Sequence, residues 1–268
     1  MDSPAEVIEA AVAAGLDVVA LTDHDSTAGW AEAGETARRL GLTLIPGAEI
    51  SCEYGGGIGV HMLAYLFDPA DPALLEETSL TRTDRVDRAQ RMVQRMSRDL
   101  DITWADVLEH VDATATVGRP HLADALVANG VVSSRDEAFA TLLHARSPYY
   151  LPHYAPDAGR IVQLIRAAGG VPVMAHPRAG RRGRLVSVAD IAELADLGLA
   201  GLEVDHRDND PEDRQILREL ARDLDLLTTG SSDYHGSGKQ NRIGENQTSP
   251  EVLEAIIALG SADRVVRP

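Results

Sequence analysis

The chain has 268 residues, 44% of them hydrophobic, with 25 Lys and Arg against 42 Asp and Glu for a formal net charge of -17. That length allows one large domain or a domain carrying an insertion. The acidity disfavours long polyanionic partners unless basic residues gather locally; the single cysteine, Cys52, excludes an internal disulfide framework and a thiolate zinc site. No run approaches the roughly 20 apolar residues of a membrane-spanning helix, and the acidic start "MDSPAEV" has no basic n-region of a secretory signal, so the cytoplasm is the expected compartment.

The first element is a helix in "SPAEVIEAAVAAG", with Ser3 as N-cap, Pro4 in the first turn and Gly15 at the end. "DVVAL" (17–21) reads as a buried strand and "AGWAEAGETARRLG" as a second helix ending at Gly41. "TLIPGAEISCEY" reads as a strand that turns at Pro46-Gly47, followed by an apolar strand in "IGVHMLAYL" (58–66). The alternation argues for an α/β fold with parallel strands. From about Thr78 the rhythm changes to a long Arg-rich helix, "TSLTRTDRVDRAQRMVQRMSRDL", with Met92 and Met96 facing a core. "WADVLEHV", "GRPHLADALVANG" and "SRDEAFATLL" read as shorter helices with no strand between them. Residues 78–155 are therefore expected to be an all-helical insertion into a discontinuous domain formed by 1–77 and 156–268. The α/β rhythm then resumes: strands in "VPVMAHP", "LAGLEVDH" and "LLTTGSSDYHG" alternate with helices in "DAGRIVQLIRAAGG", "VADIAELADLG", "DPEDRQILRELARDLD" and "SPEVLEAIIALG". A closed barrel and a doubly wound sheet both fit such a string.

The ends of these strands carry the chemistry. They bear Asp23-His24-Asp25, Glu49, His61, His176, the group Glu203, Asp205 and His206, and the pair Asp233 and His235. A single histidine there is more often a hydrogen-bonded structural residue, Asp25 equally suits a cap or turn, and Asp205 with His206 equally suits the opening of a solvated loop. Six strand ends together point to a metal or catalytic site, because α/β barrels build their sites at that end. Imidazole and carboxylate suit Zn, Mn and Fe, and one carboxylate bridges two cations in two-metal hydrolases. In an extended segment Asp233 and His235 face the same side. "RAGRRGR" places Arg178, Arg181, Arg182 and Arg184 within seven residues, either a solvated loop or a grip for a few nucleotides.

"LTDHDSTAGW", "PGAEIS", "VHMLAYLFD", "GRPHLADAL", "MAHPRAG", "LEVDH" and "GSSDYHG", in that order, resemble the PHP (polymerase and histidinol phosphatase) family, in its branch of stand-alone metal-dependent phosphoesterases. The resemblance covers nearly the whole chain. It implies a distorted (β/α)7 barrel with a helical insertion and two to three divalent ions (Mn, Zn or Fe). It also implies that Glu49 bridges two metals, that His61 and His176 complete one site, that Asp233 binds the other bridged metal, and that His24 and His235 hold a third. His24, Glu49 and Asp233 are thereby the candidate catalytic positions. Arg119, His121 and Arg178 match positions that grip the substrate phosphate, with Lys239 and His206 in the same pocket.

Family members begin with a strand carrying His-x-His; here the first helix begins at once. Either about 15 further residues precede Met1 in the natural protein, or the barrel lacks its first strand and exposes a neighbouring strand edge. The implied function is hydrolysis of a phosphate ester of a small nucleotide, a nucleoside 3',5'-bisphosphate or the 5' end of a short oligoribonucleotide, by metal-activated water. A small phosphorylated partner is expected, with no long duplex nucleic acid and no membrane; the oligomeric state stays open. The alternatives are a degenerate barrel that binds metal or nucleotide without turnover, and a metal-dependent amidohydrolase. Against the latter, the strand ends carry no lysine to bridge metals.

Overall fold

The computed structural model describes residues 2–111, 117–152, 154–180, 183–236 and 240–268. They fall into two compact units: Met1–Glu76 with Ala155–Pro268, and Glu77–Tyr154.

The first unit holds a curled sheet of six strands in sequential order: β1 (Val18–Leu21), β2 (Thr43–Tyr54), β3 (Ile58–Tyr65), β4 (Val171–Met174), β5 (Gly201–Asp205) and β6 (Leu227–Gly230). Around it lie α1 (Pro4–Ala13), α2 (Trp30–Leu40), α7 (Ala158–Ala167), α8 (Val188–Asp196), α9 (Pro211–Asp223) and α10 (Pro250–Leu259). Ser3 caps α1 as its sequence predicts, in a reciprocal capping box with Glu6. α2, α8 and α9 each connect two parallel neighbours, β1 with β2, β4 with β5 and β5 with β6. β3 departs from the all-parallel expectation, running antiparallel to both β2 and β4. The link from β2 to β3 is only Gly55, Gly56 and Gly57, all at positive φ, and so short a connection permits only an antiparallel hairpin.

Pro46-Gly47 does not turn the chain. β2 pairs with β1 through Thr43–Pro46 and with β3 from Gly47 to Tyr54. Pro46 sits where the partner changes, so its missing N–H removes no ladder bond, while its carbonyl accepts from Leu66 N at 2.9 Å. A side chain at Gly47 would meet Ala64 O at 2.9 Å. β6 also ends earlier than its sequence suggests. At Gly230 the backbone exchanges hydrogen bonds with Thr248, and a Cβ there would lie 2.3 Å from Asn246 O, so the 246–248 segment packs directly on the strand end. Gly230→Ala is therefore expected to lower stability by about 3 kcal/mol, read as a shift in the denaturant midpoint.

The core of this unit packs Ile50, Met62, Met174, Leu202 and Val204 of the sheet against Ile161, Ile165, Leu194 and Leu217 of α7, α8 and α9. A second cluster joins Ile8 and Ala11 of α1 to Ala33 and Ala37 of α2 and Leu44 of β2.

The second unit is helical. Its elements are the greater part of α3 (Pro72–Met96), α4 (Trp104–Leu108), α5 (Arg119–Ala128) and α6 (Arg135–Thr141). Met92 and Met96 are buried in its core with Val107, Leu122 and Leu126. No described helix is long and apolar enough to cross a membrane.

Candidate metal centre

Glu49 lies midway along β2, in register with Leu63 of β3. On its other side the chain leaving β1 makes one further parallel bridge, with Glu49 N donating to Asp23 O at 3.1 Å and Asp25 N to Glu49 O at 3.0 Å. This bridge sets His24 beside Glu49. Asp25 is no helix cap: it is buried, at φ 52°, and its Oδ1 accepts from Ser51 N at 2.8 Å. The loop after β1 is thereby fastened to β2 from both ends.

Three imidazoles converge on the buried carboxylate of Glu49. His61 Nδ1 lies 2.5 Å and His176 Nε2 3.2 Å from Glu49 Oε1, and His24 Nδ1 lies 3.8 Å from Oε2. His61 and His176 approach each other at 3.4 Å. Burial alone pushes the Glu49 carboxyl up, but the charges of His24 and His61 and the hydrogen bonds from His176 and His61 outweigh it and hold the group well below the usual carboxylate range. Such a pocket calls for concentrated positive charge. Ligand atoms of His24, Glu49 and His61 all lie within 4.8 Å of one another, and this nitrogen and oxygen donor set fits a divalent transition metal.

Asp233 and His235 lie beside this group. Asp233 is not extended as expected; it sits at φ 48°, in the left-handed region that Asp tolerates better than most residues. Its Oδ1 is 3.3 Å from His235 Nδ1 and its Oδ2 3.6 Å from His206 Nε2. The His235 ring is centred 6.2 Å from that of His24. His235 Nδ1 lies 2.8 Å from Asp233 O, so a proton on Nδ1 donates there and leaves Nε2 with a lone pair for a cation. His206 is the opposite case. It is fully buried, and its Nδ1 accepts from Asp208 N at 3.0 Å, so that nitrogen is already engaged by the backbone.

Three residues with no assigned role emerge as supports. His176 sits just past β4 at φ 30°, a strained backbone, and its N–H donates to Glu203 Oε2 at 2.9 Å. Burial pushes the Glu203 carboxyl up to about 7, with His206 opposing and Glu49 adding to the rise. Asn209, also buried, donates to Glu203 O and Val204 O at 3.0 Å and accepts from Arg178 N at 3.3 Å. Asp213 at the start of α9 accepts from Arg178 Nε at 2.8 Å. In sequence, Asn209 and Asp213 look like ordinary residues around a helix start, because their partners are 31 and 35 positions away. Glu203→Ala removes the acceptor that holds His176 in its strained turn. It is expected to weaken metal binding roughly 10- to 100-fold, measured by competition with a metal-sensitive dye.

Arg119 and His121 both lie in the first turn of α5 in the helical unit, where His121 Nδ1 accepts from Gly118 N at 3.0 Å. Lys239, Arg181 and Arg182 lie outside the described residues.

A family model described as the PHP domain matches residues 1–115. The chain is 30% identical over 268 residues to a 3',5'-nucleoside bisphosphate phosphatase of Chromobacterium violaceum, covering 99% of this chain and 93% of that protein. It is 31% identical over 247 residues to a 5'-3' exoribonuclease of Haemophilus influenzae, covering 91% and 88%. Among solved structures, a candidate metal-dependent phosphoesterase from Bifidobacterium adolescentis matches with a TM-score of 0.93 at 42% identity, over 97% of this chain and 92% of that one. With a curled α/β sheet, a cluster of His and carboxylate at its strand ends and phosphoesterase relatives along its whole length, the chain belongs to the PHP-domain family.

Proposed function

We propose that this protein hydrolyses a phosphate ester of a small nucleotide, either a nucleoside 3',5'-bisphosphate or the 5' end of a short oligoribonucleotide. The observation that carries the reading is the convergence of His24, His61 and His176 on the buried Glu49 carboxylate, with Asp233 and His235 alongside. Its relatives, named as a bisphosphate phosphatase and an exoribonuclease, support the substrate class.

His24, Glu49, His61, His176, Asp233 and His235 would hold two to three divalent ions, drawn from Mn, Zn and Fe by availability. Such ions supply activation of water near neutral pH and stabilisation of charge on the phosphate oxygens. The chain's own groups do the remaining work. Asp213 anchors Arg178 through Nε, and among the described residues the Nη groups make no further hydrogen bond, so that edge of the guanidinium is available to two phosphate oxygens. The buried His206 ring lies behind Asp233, its Nε2 3.6 Å from Oδ2. Arg119 and His121 on the helical unit and Lys239 are further candidates for phosphate binding.

Phosphate release is the test. The metal-loaded chain is expected to release phosphate from adenosine 3',5'-bisphosphate or mononucleotides from a short 5'-phosphorylated RNA. Release from neither would end the nucleotide reading. Arg178→Gln is expected to raise KM about tenfold with a smaller change in kcat, since it removes a charge-assisted contact made by the bound ground state as well.

A further inference from the structure

Asp233 and His235 follow β6, which ends at Gly230, so contacts beyond the strand place them. Ser231 N donates to Asp205 O at 3.0 Å, and Ser231 Oγ accepts from Asp233 N at 3.0 Å. Asn246 Nδ2 donates to Ser231 O at 3.4 Å. Ser232 O accepts from Asn241 Nδ2 at 2.7 Å, the shortest of these bonds. That carbonyl belongs to the peptide group joining Ser232 to Asp233, the plane against which the Asp233 backbone turns. Asp233 sits at φ 48°, a sparsely populated region that persists only where the surroundings hold it.

Asn241 is buried, and both ends of its amide are used. Nδ2 meets a carbonyl, which only accepts, and Oδ1 accepts from Arg207 Nη1 at 3.2 Å, which only donates, so one amide orientation satisfies both. Arg207 is itself held. Its Nε lies 2.9 Å from Glu245 Oε1, and its Nη2 donates to Oε2 at 3.4 Å. The loop that carries Arg207 is pinned to α9, where Arg214 Nη2 donates to His206 O at 2.7 Å and Nε to Asn209 O at 3.0 Å. Polar contacts therefore run from α9 through the loop after β5 to Arg207, Asn241 and the carbonyl before Asp233. The same loop holds Arg178 through Asn209. The partners of Asn241 stand 9 and 34 positions away in sequence, so no local pattern marks it.

We propose that Asn241 is a positioning residue for the metal centre and that Arg207, carried on the loop pinned to α9, is its anchor. Through the Ser232 carbonyl, the Asn241 amide sets the turn from which Asp233 and His235 project. Glu49 and His61 are carried instead by β2 and β3, and His176 by the end of β4. Loss of Asn241 therefore falls on the Asp233 and His235 side of the centre alone. An asparagine that merely stabilised the fold would weaken every ligand together. The inference rests on the reading of Asp233 and His235 as metal ligands proposed above.

The test is Asn241→Asp in the full chain. Aspartate keeps the shape and the acceptor for Arg207, but it sets a second acceptor against Ser232 O, so the contact to the turn is the one that breaks. The chelator-stripped chain is titrated with Zn²⁺ and followed through its histidine ring signals by nuclear magnetic resonance. In the unsubstituted protein the His61, His176 and His235 signals are expected to respond. In Asn241→Asp the zinc concentration that moves His235 is expected to rise about tenfold, with His61 and His176 unchanged and the melting temperature within about 3 °C. Arg207→Met leaves the Asn241 amide without its anchor and is expected to act in the same direction by a smaller factor; if the aspartate variant does not fold, Arg207→Met decides by the same criteria. An unchanged His235 response, or a uniform weakening of all three histidines with a fall in melting temperature, would overturn the role. A His235 that ignores zinc in the unsubstituted protein would overturn the ligand reading and the positioning role together. A His235 that responds there and equally in the variant leaves the ligand reading standing and removes only Asn241.

Discussion

Glu49→Gln is expected to reduce phosphate release about 10³-fold and to empty the metal centre. Glutamine keeps the volume and can still accept one hydrogen bond, but it brings no charge. His24, His61 and His176 are all within 3.8 Å of the Glu49 carboxylate, so one substitution removes the negative centre from every pair. The backbone bridge between residue 49 and the loop after β1 uses main-chain atoms only and should persist. The variant is therefore expected to fold, with its loss confined to metal content and turnover. Elemental analysis and a phosphate-release assay on the same preparation check both halves. Retention of bound metal together with full activity would remove Glu49 from the centre.

Asp233→Asn is expected to lower kcat about 10²- to 10³-fold while the melting temperature stays within about 2 °C. Asn tolerates the left-handed backbone at φ 48° as well as Asp does, so the turn is not strained by the change. What is lost is the charge that lies 3.3 Å from His235 and 3.6 Å from His206. A fall in stability comparable to that of Gly230→Ala, with little change in kcat, would make Asp233 a structural residue of the loop instead.

Much of the α/β rhythm was legible because apolar strands and amphipathic helices differ in period, and because caps such as Ser3 mark where helices begin. The residues around Glu49 could be picked out for a related reason: an apolar run that ends in His, Asp or Glu has no packing explanation for its last residue. Strand direction was harder to read. The alternation of strand and helix suggested parallel strands throughout, and the three-glycine hairpin between β2 and β3 went unread. Pro46-Gly47 looked like a turn because proline and glycine usually are one; only the change of neighbour from β1 to β3 lets the strand run straight through them. Asp233 looked extended because β6 carries on in apolar and hydroxyl residues, whereas packing of Asn246 against Gly230 ends the strand three residues earlier. The supports were the least visible part. Glu203, Asn209 and Asp213 act through contacts 27 to 35 residues away, and no local pattern marks a carboxylate that accepts a distant backbone N–H.

The most direct test of the account is a metal titration of the chelator-stripped chain, with bound metal and phosphate release from adenosine 3',5'-bisphosphate measured on the same samples. The account predicts that Mn²⁺, Zn²⁺ or Fe²⁺ restores release in proportion to metal bound and that Glu49→Gln restores neither. Phosphate release that is undiminished in the stripped chain, or tight metal binding that survives Glu49→Gln, would contradict it.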